Sequence, residues 1–225
     1  RGIPVLSDAA ESLGAKRGGK PAPAFGRAAA VSFNGNKIMT TSGGGALLTD
    51  DAGFATQVRH LATQARQPVA HYEHTEIGYN YRMSNLLAAL GRAQLSRLDE
   101  MIARRRALRK AYRGVFADIP GVRIFGGDDD QEDNNWLTAI VVDPDAAGWA
   151  AADLGSALAS DNIESRPLWK PMHLQPVFAG AGARVNGVSE RLFHTGLSLP
   201  SGSALTGAGQ ERVFARIDEF LQSQQ

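Results

Sequence analysis

The chain carries a lysine between a predicted strand end and a run of small residues, in the stretch Ser32-Phe33-Asn34-Gly35-Asn36-Lys37-Ile38-Met39-Thr40-Thr41-Ser42-Gly43-Gly44-Gly45. The preceding Ala28-Ala29-Ala30-Val31 predicts a buried strand, so Lys37 is expected just beyond its end. The small residues that follow allow the backbone to approach a ligand closely. A lysine that is held by rigid backbone and partly desolvated can form a Schiff base with a carbonyl compound. On spacing alone, an exposed lysine before a glycine-rich loop is an equal alternative.

A second strand end carries an acid. The apolar run Ile3-Pro4-Val5-Leu6-Ser7 ends at Asp8. Ligands of open α/β sheets collect at the carboxyl ends of strands, so Asp8 and Lys37 are expected to face one pocket. Pyridoxal phosphate needs such a pair, because a lysine bonds its aldehyde and an acid keeps its ring nitrogen protonated. The alternative for Asp8 is a helix N-cap, and the two roles can coexist.

Several motifs occur together along the chain. They are Asp8-Ala9-Ala10-Glu11, the loop from Ser32 to Lys37, the Gly43-Gly44-Gly45 run and Gly78-Tyr79-Asn80-Tyr81-Arg82-Met83. In this order they resemble the sugar aminotransferases of the DegT/DnrJ/EryC1/StrS family, which are pyridoxal-phosphate enzymes that aminate nucleotide-linked keto-sugars. The resemblance implies an α/β chain of fold type I, the aspartate aminotransferase-like fold. We expect part of the large cofactor-binding domain with a long connecting helix at 1–116, and a small α+β domain at 117–225.

A later segment narrows the resemblance. Arg166-Pro167-Leu168-Trp169-Lys170-Pro171-Met172-His173 is similar to the subgroup that makes UDP-N-acetylbacillosamine, by placing nitrogen on C4 of a UDP-4-keto-6-deoxy-GlcNAc. Family members are much longer at the front. The resemblance therefore implies that this chain is a carboxyl-terminal part, and that a preceding segment supplies some of the helix N-terminal amides that grip the cofactor phosphate.

The resemblance also implies roles for the residues near the lysine. Lys37 would bond pyridoxal phosphate and then move the proton between the sugar and the cofactor, while Asp8 would pair with the pyridine nitrogen. Ser32 lies where the family places a hydroxyl on the cofactor phosphate, and Asn34 of the same loop is assigned to the cofactor with it. Glu11 replaces the Gln or His common at its place, and is expected to be a pocket residue of undecided duty.

The loop before the long helix is expected to serve a neighbouring subunit. Asn80 is the position at which the family reaches across a dimer interface to the partner's phosphate, which implies a homodimer with shared active sites. Taken alone, Asn80 reads as a loop residue with a backbone hydrogen bond. Tyr81 and Arg82 are assigned to the substrate, because guanidinium suits the oxygens of a nucleotide diphosphate. Arg82 could equally cap or pair with the next helix.

The remaining substrate assignments fall on the later segment: Arg166, Trp169, Lys170 and His173. Trp169 would stack on sugar or uracil and Lys170 would contribute charge, with simple packing as the alternative for Trp169. The expected reaction moves an amino group from glutamate to C4 of a UDP-linked 4-keto-6-deoxy-N-acetylhexosamine. A GDP- or dTDP-linked, perosamine-like substrate and a noncatalytic binding fragment are the alternatives. Some relatives are dehydratases with histidine in the lysine's place, and Lys37 argues against that activity.

Composition restricts the class of protein. The chain has 225 residues, 43% of them hydrophobic, a net charge of +1 and no cysteine. This charge gives no reason to expect nucleic acid or a membrane surface as a partner. The lack of cysteine excludes a disulfide framework and a thiolate metal site, and no metal site is expected. No apolar run is long enough to span a bilayer, so we expect a cytoplasmic protein.

Apolar periodicity and turn residues predict the elements. Helices are expected over residues 51–65, 85–116, 149–160 and 205–222, with Asp51 and Ser84 as the caps of the first two. The apolar face of the second helix is expected at Leu86, Leu87, Leu90, Leu95, Leu98 and Ile102, and the core face of the last at Val213, Phe214, Ile217, Phe220 and Leu221. Strands are expected over 3–7, 29–33, 46–49, 122–125, 135–142, 163–165 and 197–199. Arg104-Arg105-Arg106 is expected on a solvated helix face, and Asp128-Asp129-Asp130 in a solvated turn.

Overall fold

A computed structural model describes residues 1–127 and 130–224 of the chain. It divides into two compact units, each built from two segments. The first unit comprises Arg1–Ala103 with Asp129–Trp136, and the second comprises Arg104–Asp128 with Leu137–Gln225. Two acids of the predicted acidic turn, Asp128 and Asp129, lie outside the described residues.

The first unit contains five strands: β1 (Leu6–Asp8), β2 (Lys16–Arg17), β3 (Lys20–Pro21), β4 (Ala28–Ser32) and β5 (Gly45–Leu48). A three-stranded sheet has the order β1-β4-β5, with β1 parallel to β4 and β5 antiparallel to it. The separate β2–β3 hairpin turns at Gly18 and Gly19, whose positive φ angles of 59° and 77° suit a tight two-residue turn.

The parallel pair decides where the candidate site lies. Strand β4 is made of small residues, and Ala28, Ala29 and Val31 are buried. Its register sets Asp8, the last residue of β1, opposite Ala30. The carboxyl ends of β1 and β4 therefore meet at one edge of the sheet, as the sequence predicts.

Three helices follow: α1 (Ala52–Leu61), α2 (Asn85–Leu95) and α3 (Leu98–Val115). The predicted cap residues are confirmed, because Asp51 accepts a hydrogen bond from the Phe54 amide and Ser84 accepts one from the Leu87 amide. The first helix ends before the predicted residue 65, since Gln64 and Ala65 take positive φ angles of 66° and 51°.

The predicted single helix over residues 85–116 is wrong, because it breaks at Ser96 and Arg97. The Ser96 hydroxyl donates to the Ala93 carbonyl, and the Arg97 amide donates to Gln94, three residues back. Such a tightened turn ends one helix before the next begins. The predicted apolar face also packs only in part: Ile102 is buried, while Leu86, Leu90 and Leu95 are exposed.

The second unit begins within α3 and continues with β6 (Val122–Ile124), β7 (Thr138–Val142), α4 (Pro144–Ala147), α5 (Ala151–Ser160), β8 (Arg166–Pro167), α6 (Val188–Thr195), β9 (Gly196–Leu199) and α7 (Gly207–Gln222). Its four strands form an antiparallel sheet in the order β6-β7-β9-β8. The core of this unit joins the sheet to α3, α5 and α7, and the residues predicted for α7 contribute to it: Val213, Phe214, Ile217, Phe220 and Leu221.

Two of the strands predicted after residue 130 need correction. The strand predicted over 135–142 begins only at Thr138, because Asn135 takes a left-handed φ of 51°. The strand predicted at 163–165 is wrong, since pairing with β9 is made by Arg166 and Pro167 instead.

The basic triplet is not a uniformly solvated helix face. Arg105 is only 8% exposed and donates a hydrogen bond to the Ser201 carbonyl at 2.8 Å, whereas Arg104 and Arg106 are exposed. Burial lowers the pKa of Arg105 from its ordinary value. The prediction was wrong for Arg105 because an arginine can satisfy a carbonyl inside a packed core.

The boundary between the two units falls between Ala103 and Arg104, inside α3, whereas the sequence predicted a boundary after residue 116. The assignment of the units to a cofactor-binding domain and a small domain stays a prediction. Within the described residues, no helix combines the length and apolar character needed to cross a membrane.

Candidate active site

The predicted lysine lies in the loop that joins β4 to β5. The Phe33 amide donates to the Gly44 carbonyl at 3.0 Å, which closes the loop at its base. The Lys37 amide donates to the Asn34 carbonyl at 3.1 Å, and the next two residues, Ile38 and Met39, are buried. The backbone at Lys37 is thus fixed on both sides.

The amine of Lys37 is largely enclosed. Its side chain is only 13% exposed, and Nζ lies 3.0 Å from Oε1 of Glu11. The same nitrogen lies over the indole ring of Trp136, 4.8 Å from the ring centroid. The alternative of an ordinary exposed lysine therefore does not describe this residue.

The glycine run has a structural cause that the sequence interpretation missed. A Cβ at Gly45 would lie 2.4 Å from the Val31 carbonyl oxygen, so the close approach at this position is to the neighbouring strand. A Cβ built on Gly43, by contrast, would have no atom of any described residue other than its chain neighbours within 4 Å. Gly45 is thus required by sheet pairing rather than by a ligand.

The other predicted cofactor residues lie at the same sheet edge or in the adjoining loop. Asp8 is exposed, and its Oδ1 accepts from the Ala10 amide at 3.1 Å, so its local role is to form a turn rather than to cap a helix. Ser32 Oγ accepts from the Asn34 amide at 3.3 Å. Of the two predicted acids, it is Glu11 that contacts the amine.

The segment around Asn80 is held by backbone hydrogen bonds to the end of α1. The amides of Tyr79 and Tyr81 donate to Leu61 and Ala62, and the two tyrosine rings stack with centroids 5.2 Å apart. Tyr81 is 78% exposed, and Asn80 and Arg82 are exposed as well. Neither Asn80 nor Arg82 has a side-chain hydrogen bond or ion pair among residues 1–127 and 130–224. Both side chains are available to a ligand.

The four substrate residues predicted later in the chain all belong to the second unit. Arg166 pairs with Glu164, with Nη2 2.6 Å from Oε1, and Trp169 is 63% exposed. His173 Nε2 is 3.6 Å from the Glu190 carboxylate, beyond hydrogen-bonding distance. Lys170 is exposed, and its carbonyl accepts from the Gln175 amide group.

Two cavities of the second unit differ in their relation to these residues. His173 lines a cavity of about 330 Å³ together with Met172, Phe178 and residues 181–185. A cavity of about 640 Å³ lies elsewhere, at Arg123, Val141, Asp143 and Arg191, and contains none of the predicted site residues. Volume alone therefore does not identify the site.

Two of the residues that lie around the lysine were not predicted from the sequence. Asn134 and Trp136 join the first unit, although about a hundred residues separate them from Lys37. The Asn134 amide donates to the carbonyls of Glu11 and Leu13, at 2.8 and 3.0 Å. The signal for them in the sequence was the polar-aromatic run Asn134-Asn135-Trp136, whose last two residues belong to the strand predicted over 135–142.

A model of the DegT/DnrJ/EryC1/StrS aminotransferase family matches residues 1–218. The chain belongs to this family. Family membership is what the sequence motifs predicted. The aminotransferases of the DegT/DnrJ/EryC1/StrS family use pyridoxal phosphate, so the enzyme class and the cofactor are confirmed at the level of the family.

Among curated relatives, the chain is 46% identical over 216 residues to EpsN of Bacillus subtilis (strain 168), whose name describes a pyridoxal phosphate-dependent aminotransferase. It is 34% identical over 223 residues to the GDP-perosamine synthase of Caulobacter vibrioides. These alignments cover 94% and 96% of this chain, but only 55% of EpsN and 58% of the synthase. The chain thus spans little more than half the length of these relatives.

Solved structures of the family have the same fold. PseC of Helicobacter pylori, an aminotransferase involved in the biosynthesis of pseudoaminic acid, superposes with a TM-score of 0.87 at 21% identity. The match covers 98% of this chain and 60% of PseC. The predicted fold class, a partial fold type I chain with a small α+β domain, is confirmed. The roles of the individual site residues stay predictions.

Proposed function

We propose that the full-length protein carrying this chain transfers an amino group from L-glutamate to C4 of a UDP-linked 4-keto-6-deoxy-N-acetylhexosamine. The observation that carries the proposal is the enclosed amine of Lys37, held against Glu11 and Trp136 beside the sheet edge that bears Asp8 and Ser32. A primary amine placed at such an edge suits a carbonyl cofactor.

The residues present fit pyridoxal phosphate. The site offers an amine at Lys37, a solvent-accessible carboxylate at Asp8 and a hydroxyl at Ser32. When bound, the cofactor supplies an aldehyde for the lysine and a protonated ring that accepts electrons as a proton leaves the substrate carbon. Asp8 would hold the proton on the ring nitrogen, while Ser32, Asn34 and the Asn80 of a second subunit would hold the phosphate.

Proton movement is assigned to Nζ of Lys37. As a free amine beside the substrate, Nζ would be the base that takes a proton from one carbon and returns it to another. Glu11, 3.0 Å away, would orient the amine and accept a hydrogen bond from it. The loop closure between Phe33 and Gly44 keeps this geometry fixed.

Substrate contacts are assigned to exposed side chains. Tyr81 and Arg82 are exposed and would meet a nucleotide diphosphate, and Trp169 offers an exposed ring for stacking. Arg166, Lys170 and His173 complete the proposed set. Arg166 would have to exchange its Glu164 partner for a substrate oxygen.

The proposal also specifies which nucleotide and which sugar the substrate contains. UDP and the N-acetylated sugar are supported by the resemblance of residues 166–173. A GDP-linked substrate is the second candidate, because GDP-perosamine synthases are 34% and 31% identical to the chain. We also propose a homodimer with shared active sites, acting in the cytoplasm.

The first test removes the amine. In the full-length protein, Lys37→Ala should abolish the visible absorbance band that forms with pyridoxal phosphate and that borohydride removes. Turnover should fall by at least about a thousandfold, because the acid/base is lost. Lys20→Ala, at an exposed lysine of the β2–β3 hairpin, should change neither quantity. Normal turnover in the Lys37 variant would refute the assignment, and a folded full-length protein without the band would favour a binding module.

The second test separates the nucleotides. UDP-, GDP- and dTDP-linked 4-keto-sugars are each supplied with glutamate, and kcat/KM is measured from 2-oxoglutarate release. The UDP-linked N-acetylated sugar should have the highest kcat/KM. A higher value with a GDP-linked sugar would replace the proposed substrate by the perosamine-like alternative, without affecting the role of Lys37.

A further inference from the structure

The indole of Trp136 lies beside the Lys37 amine, and none of the sequence motifs predicted this neighbour. The ring is half-buried and packs against the cluster formed by Ile38, Met39, Met101 and Ile102. Its Nε1 donates to the carbonyl of Asn36 at 2.7 Å. The ring is therefore tied to the residue immediately before Lys37, so that ring and amine belong to one fixed arrangement.

The segment that carries Trp136 is itself anchored to the residues around Glu11. The Asn134 side chain is only 3% exposed and donates to the carbonyls of Glu11 and Leu13. Its Oδ1 accepts from the Trp136 amide at 3.0 Å. One buried amide group thus connects the backbone of the acid with the backbone of the indole.

The amine consequently has a carboxylate and an aromatic face as neighbours. Nζ is 3.0 Å from Glu11 Oε1 and 4.8 Å from the ring centroid of Trp136. A cation is attracted to the face of an indole, and the same face is an apolar wall for a neutral group. The indole N–H is already used by Asn36, so the ring acts on the amine through its face and not as a donor.

We propose that Trp136 is a positioning residue for the amine of Lys37, holding Nζ against Glu11, and that Asn134 sets the position of Trp136. This inference rests on the proposed function, in which that amine bonds the cofactor. Trp136 is expected to set how the amine is presented and not to take part in proton transfer.

The test measures the amine directly, in the cofactor-free full-length protein. A short pulse of acetic anhydride acylates lysines, and mass spectrometry gives the rate at Lys37 relative to that at Lys20. Trp136→Leu should raise this ratio by about threefold or more, because the ring no longer shields the amine or holds it against Glu11. Trp136→Phe loses the bond to Asn36 but keeps an aromatic face packed on the same apolar cluster, so it should stay within about twofold of the wild-type ratio.

A matched control is available on the surface of the same unit. Lys20 Nζ lies 4.7 Å from the ring centroid of Phe25, nearly the same geometry as at Trp136. Phe25→Leu therefore removes a ring from a lysine outside the site, and should leave acylation at Lys37 unchanged. Because Phe25→Leu can change the acylation rate of Lys20, the rate at Lys37 in this variant is divided by the rate at Lys16 instead.

Equal acylation of Lys37 in the wild type and in Trp136→Leu would overturn the proposal. Equal increases in the Phe and Leu variants would do the same, since they would indicate loss of packing and not of the ring face. If Trp136→Leu does not fold, Trp136→Met fills the space with an unbranched side chain and should give the same increase. The proposed function fails separately, if Lys37→Ala keeps the borohydride-sensitive band.

Discussion

At the scale of the residue, Tyr112 offers a pH-dependent prediction in the second unit. It is fully buried, and its hydroxyl donates to the Pro200 carbonyl at 2.9 Å. Burial raises the pKa of this hydroxyl above its ordinary value of 10.0. The folded chain therefore keeps the hydroxyl neutral, and the stability that it contributes is complete below about pH 10 and is lost as pH rises further.

Tyr112→Phe should lower the free energy of unfolding by about 1–2 kcal/mol at pH 8, because the Pro200 carbonyl loses its partner. The difference from the wild type should shrink at pH 10.5, where ionisation favours the unfolded wild type. Urea titrations at the two pH values measure both quantities. Tyr72→Phe, at a ring 79% exposed, is the control and should show little change. A difference that grows with pH would contradict the prediction.

Short-range motifs predicted part of the candidate site and missed another part. Lys37, Asp8 and Glu11 follow strand ends or glycines, and these local signals are readable without a structure. Trp136 lies beside Lys37 through an approach between segments about a hundred residues apart, which no local pattern encodes. The buried state of Arg105 was also unreadable, because it depends on a carbonyl at Ser201.

At the scale of the element, the β4–β5 connection depends on Gly45. Gly45→Ala should lower the free energy of unfolding by roughly 1–3 kcal/mol, because the new Cβ would overlap the Val31 carbonyl oxygen of the paired strand. Gly43→Ala is the matched control, since in the described part of the chain no atom beyond its immediate neighbours lies within 4 Å of its Cβ position. Urea denaturation of both variants of the full-length protein checks this. Equal stability of the two would show that sheet pairing tolerates the methyl group.

Element types were easier to predict than element ends. The caps Asp51 and Ser84 are read correctly because each is a single side chain bonded to an amide three residues on. The break at Ser96 was missed, since serine and arginine are both acceptable inside a helix and only their hydrogen bonds reveal the tightened turn. The short strand β8 was placed a few residues early, because β-branched Ile163 suggested a strand that pairing with β9 places at Arg166.

At the scale of the whole molecule, the proposed dimer makes a prediction of its own. Lys37→Ala and Asn80→Asp should each be inactive, the second because a carboxylate would repel the cofactor phosphate of the partner's site. When the two variants are co-expressed in equal amounts and pair at random, about half of the dimers contain one subunit of each. Each mixed dimer has one intact site of two, so the population should recover about a quarter of wild-type turnover. Turnover is measured on the purified mixed population. Activity no higher than that of the separate variants would exclude sharing through Asn80.

The domain organisation was harder to predict than the fold class. The family resemblance carried by the sequence motifs was enough to indicate an α/β chain followed by an α+β unit. The position of the boundary was not readable, because α3 runs through it as one continuous helix without a linker composition. The return of residues 129–136 to the first unit was likewise hidden, since nothing in their composition marks a change of unit.

The path of the chain between its two units has a practical consequence for exchanging parts among relatives. Residues 129–136 are enclosed in sequence by two segments of the second unit, yet they supply the indole and the buried amide beside Lys37. A chimaera joined at residue 104 would place a relative's residues at both of these positions beside Lys37. A junction at residue 137 would retain them, so a graft intended to exchange only the proposed substrate residues of the second unit should begin there.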